Sequence, residues 1–434
     1  MPGPAVADTS SPHPARPEVS PRSKPRWVER LKRWYLTAAV VLLNALLLLV
    51  VVNMSLSAVR YIRDRRPGLG QAALKRSTPL GRFGQHVLKA YPGKTEQEIA
   101  SLIEEGRVAG FELFEYDPIT QFRAKPFRGR YTNIAKEGFR LVRDQGPWPP
   151  PRNAINVFVF GGSTAFGSYV RDDETIASWL QSLAMQSRPS EPVFVYNFGQ
   201  PGYISSQEGL LFYSLLLAGF VPDVAVFLDG LNDFVNGAGE PMFTQRLRRL
   251  MDGNDRRQTY GLADRLALVG ALHSLRREPG EFRQAVQMDY QSEAFFDRVL
   301  SLWRANRRLV ESIAKDFGVQ SAFVWQPVPA YKYDVRHHMG YELYAGKPFP
   351  THEVAFNYAR MEGLRGELER NRNFLWLADM QEGRGENLYV DEVHYTAAFS
   401  RDIAQRICEF LDRQGFLRPT GAARRGSPAS PDTP

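Results

Sequence analysis

A serine, a glycine, an asparagine and an aspartate–histidine pair stand well apart in this chain, yet their chemistries complement one another. Ser163 lies in Asn156-Val-Phe-Val-Phe-Gly-Gly-Ser-Thr-Ala-Phe-Gly167, where an apolar run turns sharply through two glycines. A serine hydroxyl is a weak nucleophile and needs a base. His394 of Asp391-Glu-Val-His394 can take that proton, and Asp391 can orient the imidazole and stabilise its charged form. Asn232 of Asp229-Gly-Leu-Asn-Asp233 can donate a side-chain N–H to an oxyanion. Gly202 of Asn197-Phe-Gly-Gln-Pro-Gly-Tyr203 has no Cβ to keep a ligand from its backbone N–H. Together these groups suit acyl transfer through a tetrahedral intermediate. Each also has a plainer reading. Ser163 can cap a turn or sit in a phosphate-binding loop, and Gly202 can be a turn glycine after Pro201. Asn232 and Asp233 can be loop formers, Asp391 can satisfy a loop amide, and His394 can be a surface histidine.

Other chemistry is less well supported. His337 and His338 are adjacent, with Asp334 before and His352 after them, but neighbouring histidines seldom face one ion in regular structure. Gln326 suits either a pocket rim or a buried structural role. Gly161 to Gly167 lacks the lysine of a Walker loop and the spacing of a dinucleotide fingerprint. Cys408 is the only cysteine, which excludes an intrachain disulfide and a cysteine-clustered zinc site. The chemistry above needs neither metal nor organic cofactor. The net charge of +8 gathers near the N-terminus beside an apolar segment and marks membrane topology rather than nucleic-acid binding. No zinc finger, RNP motif or basic zipper is visible.

The elements that must position these residues alternate. Val- and Phe-rich runs at 155–160, 193–198, 224–229, 321–325 and 374–378 predict strands. Helical patterns fall at about 175–187, 205–219, 294–317, 355–370 and 396–413. Such alternation predicts parallel βαβ units with both sheet faces covered, and ligands then bind beyond the carboxyl ends of the strands. The stretch from about 236 to 292 interrupts the pattern. It is Arg-rich, with helices expected at 244–251 and 262–277, and reads equally as a substrate cap or a surface excursion.

Ahead of this body, residues 1–33 form a basic tail, disordered over its Pro- and Ser-rich start. Trp34 to Val59 carries no charge and as a helix is roughly 39 Å long, enough to cross a hydrocarbon core of ~30 Å as an uncleaved anchor. Arg22, Lys24, Arg26, Arg30, Lys32 and Arg33 lie shortly before the span, and Arg60, Arg63, Arg65 and Arg66, with Asp64 among them, lie just after it. This balance favours a cytoplasmic N-terminus and a body on the extracytoplasmic, periplasmic side. Residues 60–152 are a connector and accessory segment, with a capped helix expected from Thr95 and strands between Phe111 and Phe139. The main domain spans 153–415, and 416–434 is a disordered tail.

In order and residue type these blocks resemble the SGNH hydrolase superfamily, the GDSL-like esterases. Phe160-Gly-Gly-Ser-Thr164 resembles the first block, Gly202 the glycine of the second, Gly230-Leu-Asn-Asp233 the third, and Asp391 to His394 the last. The resemblance covers about 155–415. It implies a three-layer α/β/α, flavodoxin-like domain, with Ser163 as nucleophile and Asp391 and His394 completing a triad. Ser163, Gly202 and Asn232 would form the oxyanion hole. Gly162 departs from the usual Asp and Thr164 from the usual Leu; Gly-Gly-Ser-Thr is similar to a variant of some bacterial relatives, as is the preceding Asn133-Ile-Ala-Lys-Glu-Gly-Phe-Arg140. The implied substrates are carboxylic esters: short acyl esters, lipids, or O-acetyl groups on cell-surface glycans. An O-acyltransferase acting on envelope glycans is the neighbouring possibility. A non-catalytic envelope binding or assembly protein with this fold is the third, and it has no evident need for Ser163 and His394 together.

Overall fold

The computed structural model describes residues 26–65, 78–235, 241–244, 289–344 and 346–418. The ends of both expected tails, part of the connector and the expected insertion helices past Thr244 lie outside these residues. The described chain forms two compact units. The first is a 40-residue helix, α1 (Arg26–Arg65). Its leucine- and alanine-rich sequence has no helix breaker, and Leu36, Leu42 and Leu48 are exposed along it. Arg26–Ser57 is long and apolar enough to cross a membrane.

The second unit opens with α2 (Pro79–Phe83), whose Thr78 cap accepts from Gly81 N–H. Next comes α3 (Glu96–Arg107), which starts at the expected capping box: Thr95 Oγ1 accepts from Glu98 N–H, and Glu98 Oε2 accepts from Thr95 N–H at 2.9 Å. Strand does not begin at Phe111. The helix instead widens into a π turn over Val108–Glu112, and Leu113 N–H reaches Val108 O at 3.0 Å. A hairpin follows, β1 (Phe114–Asp117) with β2 (Gln121–Ala124), its turn held by Asp117 Oδ1 accepting from Ile119 and Thr120 N–H. The short pair β3 (Phe127–Arg128) and β4 (Asn133–Ile134) completes the accessory segment.

The rest alternates as expected: β5 (Ile155–Gly161), α4 (Ser163–Phe166), α5 (Ile176–Ser187), β6 (Val193–Asn197), α6 (Ser205–Leu217), β7 (Val224–Asp229), α7 (Leu231–Val235), α8 (Glu293–Phe317), β8 (Gln320–Trp325), α9 (His352–Leu368), β9 (Phe374–Trp376) and α10 (Ala397–Gln414). The five strands pair in parallel in the order β6-β5-β7-β8-β9, the flavodoxin-like order. Their side chains alternate with period two, and the faces differ. Val157, Val159, Val195, Val226 and Val324 pack under α5 and α10. Phe158, Phe160, Tyr196, Phe227, Phe323 and Trp325 pack under α6, α8 and α9. On this aromatic face Phe160, Phe227 and Phe323 stack across three adjacent strands at 4.9 and 5.3 Å, and such pairs contribute about 0.5–1.5 kcal/mol each beyond area burial. The result is a three-layer α/β/α fold. Both faces are covered, so the strands read as unbroken apolar runs. All carboxyl ends point to one edge.

Candidate active site

The first candidate sits where β5 meets this edge. Gly161 has φ +152° and Gly162 φ −80°, and α4 begins at Ser163. Ser163 O accepts from Gly167 and Ser168 N–H, both at 3.0 Å. As a first-turn residue, Ser163 has an N–H without an acceptor in its own helix. The residue is 9% exposed.

The two strands paired with β5 end at the same edge. After β6, Gly202 takes a left-handed φ of +84°. After β7, Asn232 Nδ2 donates to Tyr203 O at 2.7 Å, joining the second and third blocks. The same nitrogen lies against the Gly162 backbone: a Cβ added there would come within 2.2 Å of it. Glycine at 162 thus leaves room for the Asn232 amide. Any side chain at that position would displace the Asn232 amide from the turn bearing Ser163.

Asp391 and His394 form the tightest arrangement. His394 Nδ1 and Asp391 Oδ2 are 2.7 Å apart, and Asp391 Oδ1 accepts from Val393 and His394 N–H at 2.9 and 2.7 Å. Burial raises the pKa of the Asp391 carboxyl, but the adjacent imidazole and these donors outweigh it, and the carboxyl ends below its ordinary range. The bond to Asp391 places the proton of neutral His394 on Nδ1 and leaves Nε2 as an acceptor. Nε2 is buried and has no hydrogen-bond partner among the described residues, so it makes no direct bond to Ser163 Oγ. The two loops are nevertheless neighbours. The Tyr169 ring, on the loop after Ser163, lies 5.4 Å from the His394 ring. Gln326 Oε1, just past β8, accepts from Thr164 Oγ1 at 2.6 Å and, more weakly, from Tyr395 OH at 3.4 Å. Gln326 therefore bridges the residue after the serine to the residue after the histidine.

His338 is not placed to bind a metal with its neighbours. Its Nδ1 accepts from Gly340 N–H at 3.0 Å, which puts the proton on Nε2, and Nε2 donates to Asp391 O at 2.9 Å. Burial lowers its pKa, in keeping with that neutral donor. Among the described residues no cluster of His, Cys, Asp and Glu could hold a metal ion.

The arrangement also depends on residues that spacing does not single out. Arg140 is fully buried and donates to Asp172 Oδ1 at 2.8 Å, Phe166 O at 3.0 Å, Gly167 O at 2.6 Å and Val170 O at 2.7 Å. Asn133 also donates to Asp172, through both its backbone and side-chain N–H groups. The Asn133 and Arg140 positions of the preceding element thus converge on the loop that leaves the serine. Gln200 ties the second block to the accessory segment, accepting from Ala124 N–H and donating to Gly138 O, both at 2.9 Å.

No family model matches the chain, and no curated protein matches it. Similar solved structures include a member of the lipolytic G-D-S-L family from Veillonella parvula, 10% identical over 60% of this chain and 100% of that one, with a TM-score of 0.31. The lipase Lip_vut3 from a goat rumen metagenome is 13% identical over 61% of this chain and 100% of that one, with a TM-score of 0.37. A two-domain esterase active on acetylated mannans is 15% identical, with a TM-score of 0.33. Its match covers 64% of this chain and 53% of the esterase. At this identity and TM-score none of them assigns a role to a residue here, and the strand order carries the fold by itself.

Proposed function

We propose that this chain is a membrane-anchored serine esterase acting on carboxylic esters. The observation that carries the reading is the His394 imidazole. Its Nδ1 is held by an ionised Asp391, while its Nε2 is buried and unpartnered beside the loop that carries Ser163. A buried imidazole nitrogen without a partner costs free energy, and a role in proton transfer would account for its being kept. In the proposed mechanism Ser163 Oγ attacks the ester carbonyl while His394 Nε2 takes its proton. Ser163 N–H, Gly202 N–H and the Asn232 amide bind the oxyanion. The intermediate expels the alcohol, protonated by His394 Nε2–H, and leaves an acyl group on Ser163. Water, deprotonated by His394, then releases the acid. The Asp391 carboxylate stabilises the imidazolium at each proton transfer. The apolar helix Arg26–Ser57 would tether this chemistry to a membrane, on the extracytoplasmic side by the charge balance around the span.

Turnover of acetate esters tests the reading. Full activity in Ser163→Ala would contradict it; loss of kcat by at least ~10³-fold in Ser163→Ala and in His394→Ala supports it. Asn232→Ala should lower kcat ~10²–10³-fold, as expected for one oxyanion donor. Adding a sugar acceptor separates hydrolysis, which yields free acetate, from transfer, which yields an acetylated sugar.

A further inference from the structure

Two aromatic rings flank the His394 imidazole, and the mechanism above uses neither. Phe111 comes from the π turn of the accessory segment, with its ring centroid 5.9 Å from that of His394 and an interplanar angle of 70°. Tyr169 comes from the serine loop, at 5.4 Å and 83°. The two rings stack on each other at 5.7 Å and 20°, forming one wall with an edge against the imidazole.

This wall is held firmly. Tyr169 adopts φ +66°, a left-handed conformation that is uncommon for a bulky residue. Tyr91 OH donates to its carbonyl at 2.8 Å, and Gly106 packs so closely that an added Cβ would lie 3.3 Å from its backbone nitrogen. Arg107, just before the π turn, pairs with Glu104 and, across the turn, with Glu112. Tyr169 is buried, but Phe111 remains 38% exposed. Strain and π bulges are retained where the surrounding structure has a use for the geometry they give.

Resting on the esterase reading, we propose that Phe111, backed by Tyr169, is the platform for the alcohol half of the ester and selects alcohols with a flat apolar face, a pyranose or an aryl ring. The reason is proton delivery. Nε2–H of His394 must reach the oxygen of the departing alcohol, so that half of the substrate lies alongside the imidazole. The exposed face of Phe111 is apolar surface beside it. A flat ring covers that face and excludes water from it, whereas a methyl group covers little of it.

The test holds the acyl group constant and varies the alcohol. For the full chain, kcat/KM is measured on methyl acetate, phenyl acetate and a monoacetylated methyl pyranoside. In Phe111→Ala the ratio of each cyclic ester to methyl acetate should fall about tenfold, equivalent to ~1.4 kcal/mol. Most of that change should appear in KM, and Phe111→Trp should restore the ratio. A fall confined to the pyranoside assigns a sugar, and one confined to phenyl acetate an aryl alcohol; each supports the platform. Equal loss on all three esters, or an unchanged ratio, overturns it while leaving the esterase reading intact. A wild-type protein that turns over none of the three and does not react with a fluorophosphonate overturns the esterase reading and this inference with it.

Discussion

At Gly162 one missing side chain sets the position of the Asn232 amide beside the turn that bears Ser163. The Gly162 φ of −80° is open to any residue, so what glycine supplies there is space for the Asn232 amide and not conformation. Gly162→Ala should push the Asn232 amide aside and lower kcat on acetate esters ~10²–10³-fold, the magnitude of losing one oxyanion donor. Because both substitutions remove the same donor, Gly162→Ala combined with Asn232→Ala should be little worse than either alone. Full additivity in that cycle would show that the two residues act separately. Positions 163, 202, 232, 391 and 394 could be singled out as candidates from the chain, by residue type and order. The reason for Gly162 could not, since the clash it avoids is with an atom 70 positions away in sequence. The role of His338 could not either: its partner is a backbone carbonyl at Asp391, which no composition or spacing reveals.

At the level of elements, the serine loop is held from outside its own βα unit. Arg140 satisfies three of that loop's carbonyls and the Asp172 carboxylate from a segment that precedes the main domain. Arg140→Ala leaves those groups without their cation and should destabilise the fold by about 3–5 kcal/mol, read as a lowered denaturation midpoint. Arg140→Lys keeps the charge but not the planar fork, so it should recover only part of that loss. A midpoint unchanged in both variants would remove Arg140 from this role. The strands and helices of the main domain begin and end close to where hydrophobic periodicity puts them, because burial on both sheet faces and regular caps such as Thr175, Ser292 and Thr396 mark them locally. Phe111 lay in aromatic, strand-prone sequence and emerged in a π turn. Arg107 pairs across that turn with Glu112, a contact that periodicity does not register.

At the level of the whole molecule, a buried acidic cluster under the aromatic face ties stability to pH. Burial, then the charges of Asp229 and Asp233, raises the Glu208 pKa well above the usual carboxylate range. Burial, then Asp233, pushes Asp229 up to about 7, against the lowering effects of the Trp303 N–H, Glu208 and Arg307. In an unfolded chain an aspartate titrates near 3.9. The folded state therefore holds a proton that the unfolded state has lost between those values. Its contribution is complete at about pH 4 and declines by about 1.4 kcal/mol per pH unit as the pH rises to about 7. Asp229→Asn removes this dependence. The stability of wild type relative to the variant should fall from pH 4 to 7 and level off above, while a constant difference would rule the linkage out. Asp391 has the opposite sign: its lowered pKa contributes stability that is lost as the pH falls through its folded value. The N-terminal helix makes its own whole-chain prediction. The full chain should stay in the membrane fraction through carbonate extraction and leave it only with detergent, and recovery in the carbonate supernatant would contradict the anchor.

The central claim is that Ser163 is a nucleophile activated by His394. Reaction of the folded full chain with a fluorophosphonate, followed by mapping of the adduct by peptide mass spectrometry, tests it most directly. The expected result is a single adduct on Ser163 that is absent in Ser163→Ala and slowed by at least ~10³-fold in His394→Ala. An adduct on another residue, or labelling of Ser163 at an unchanged rate without His394, would contradict the account.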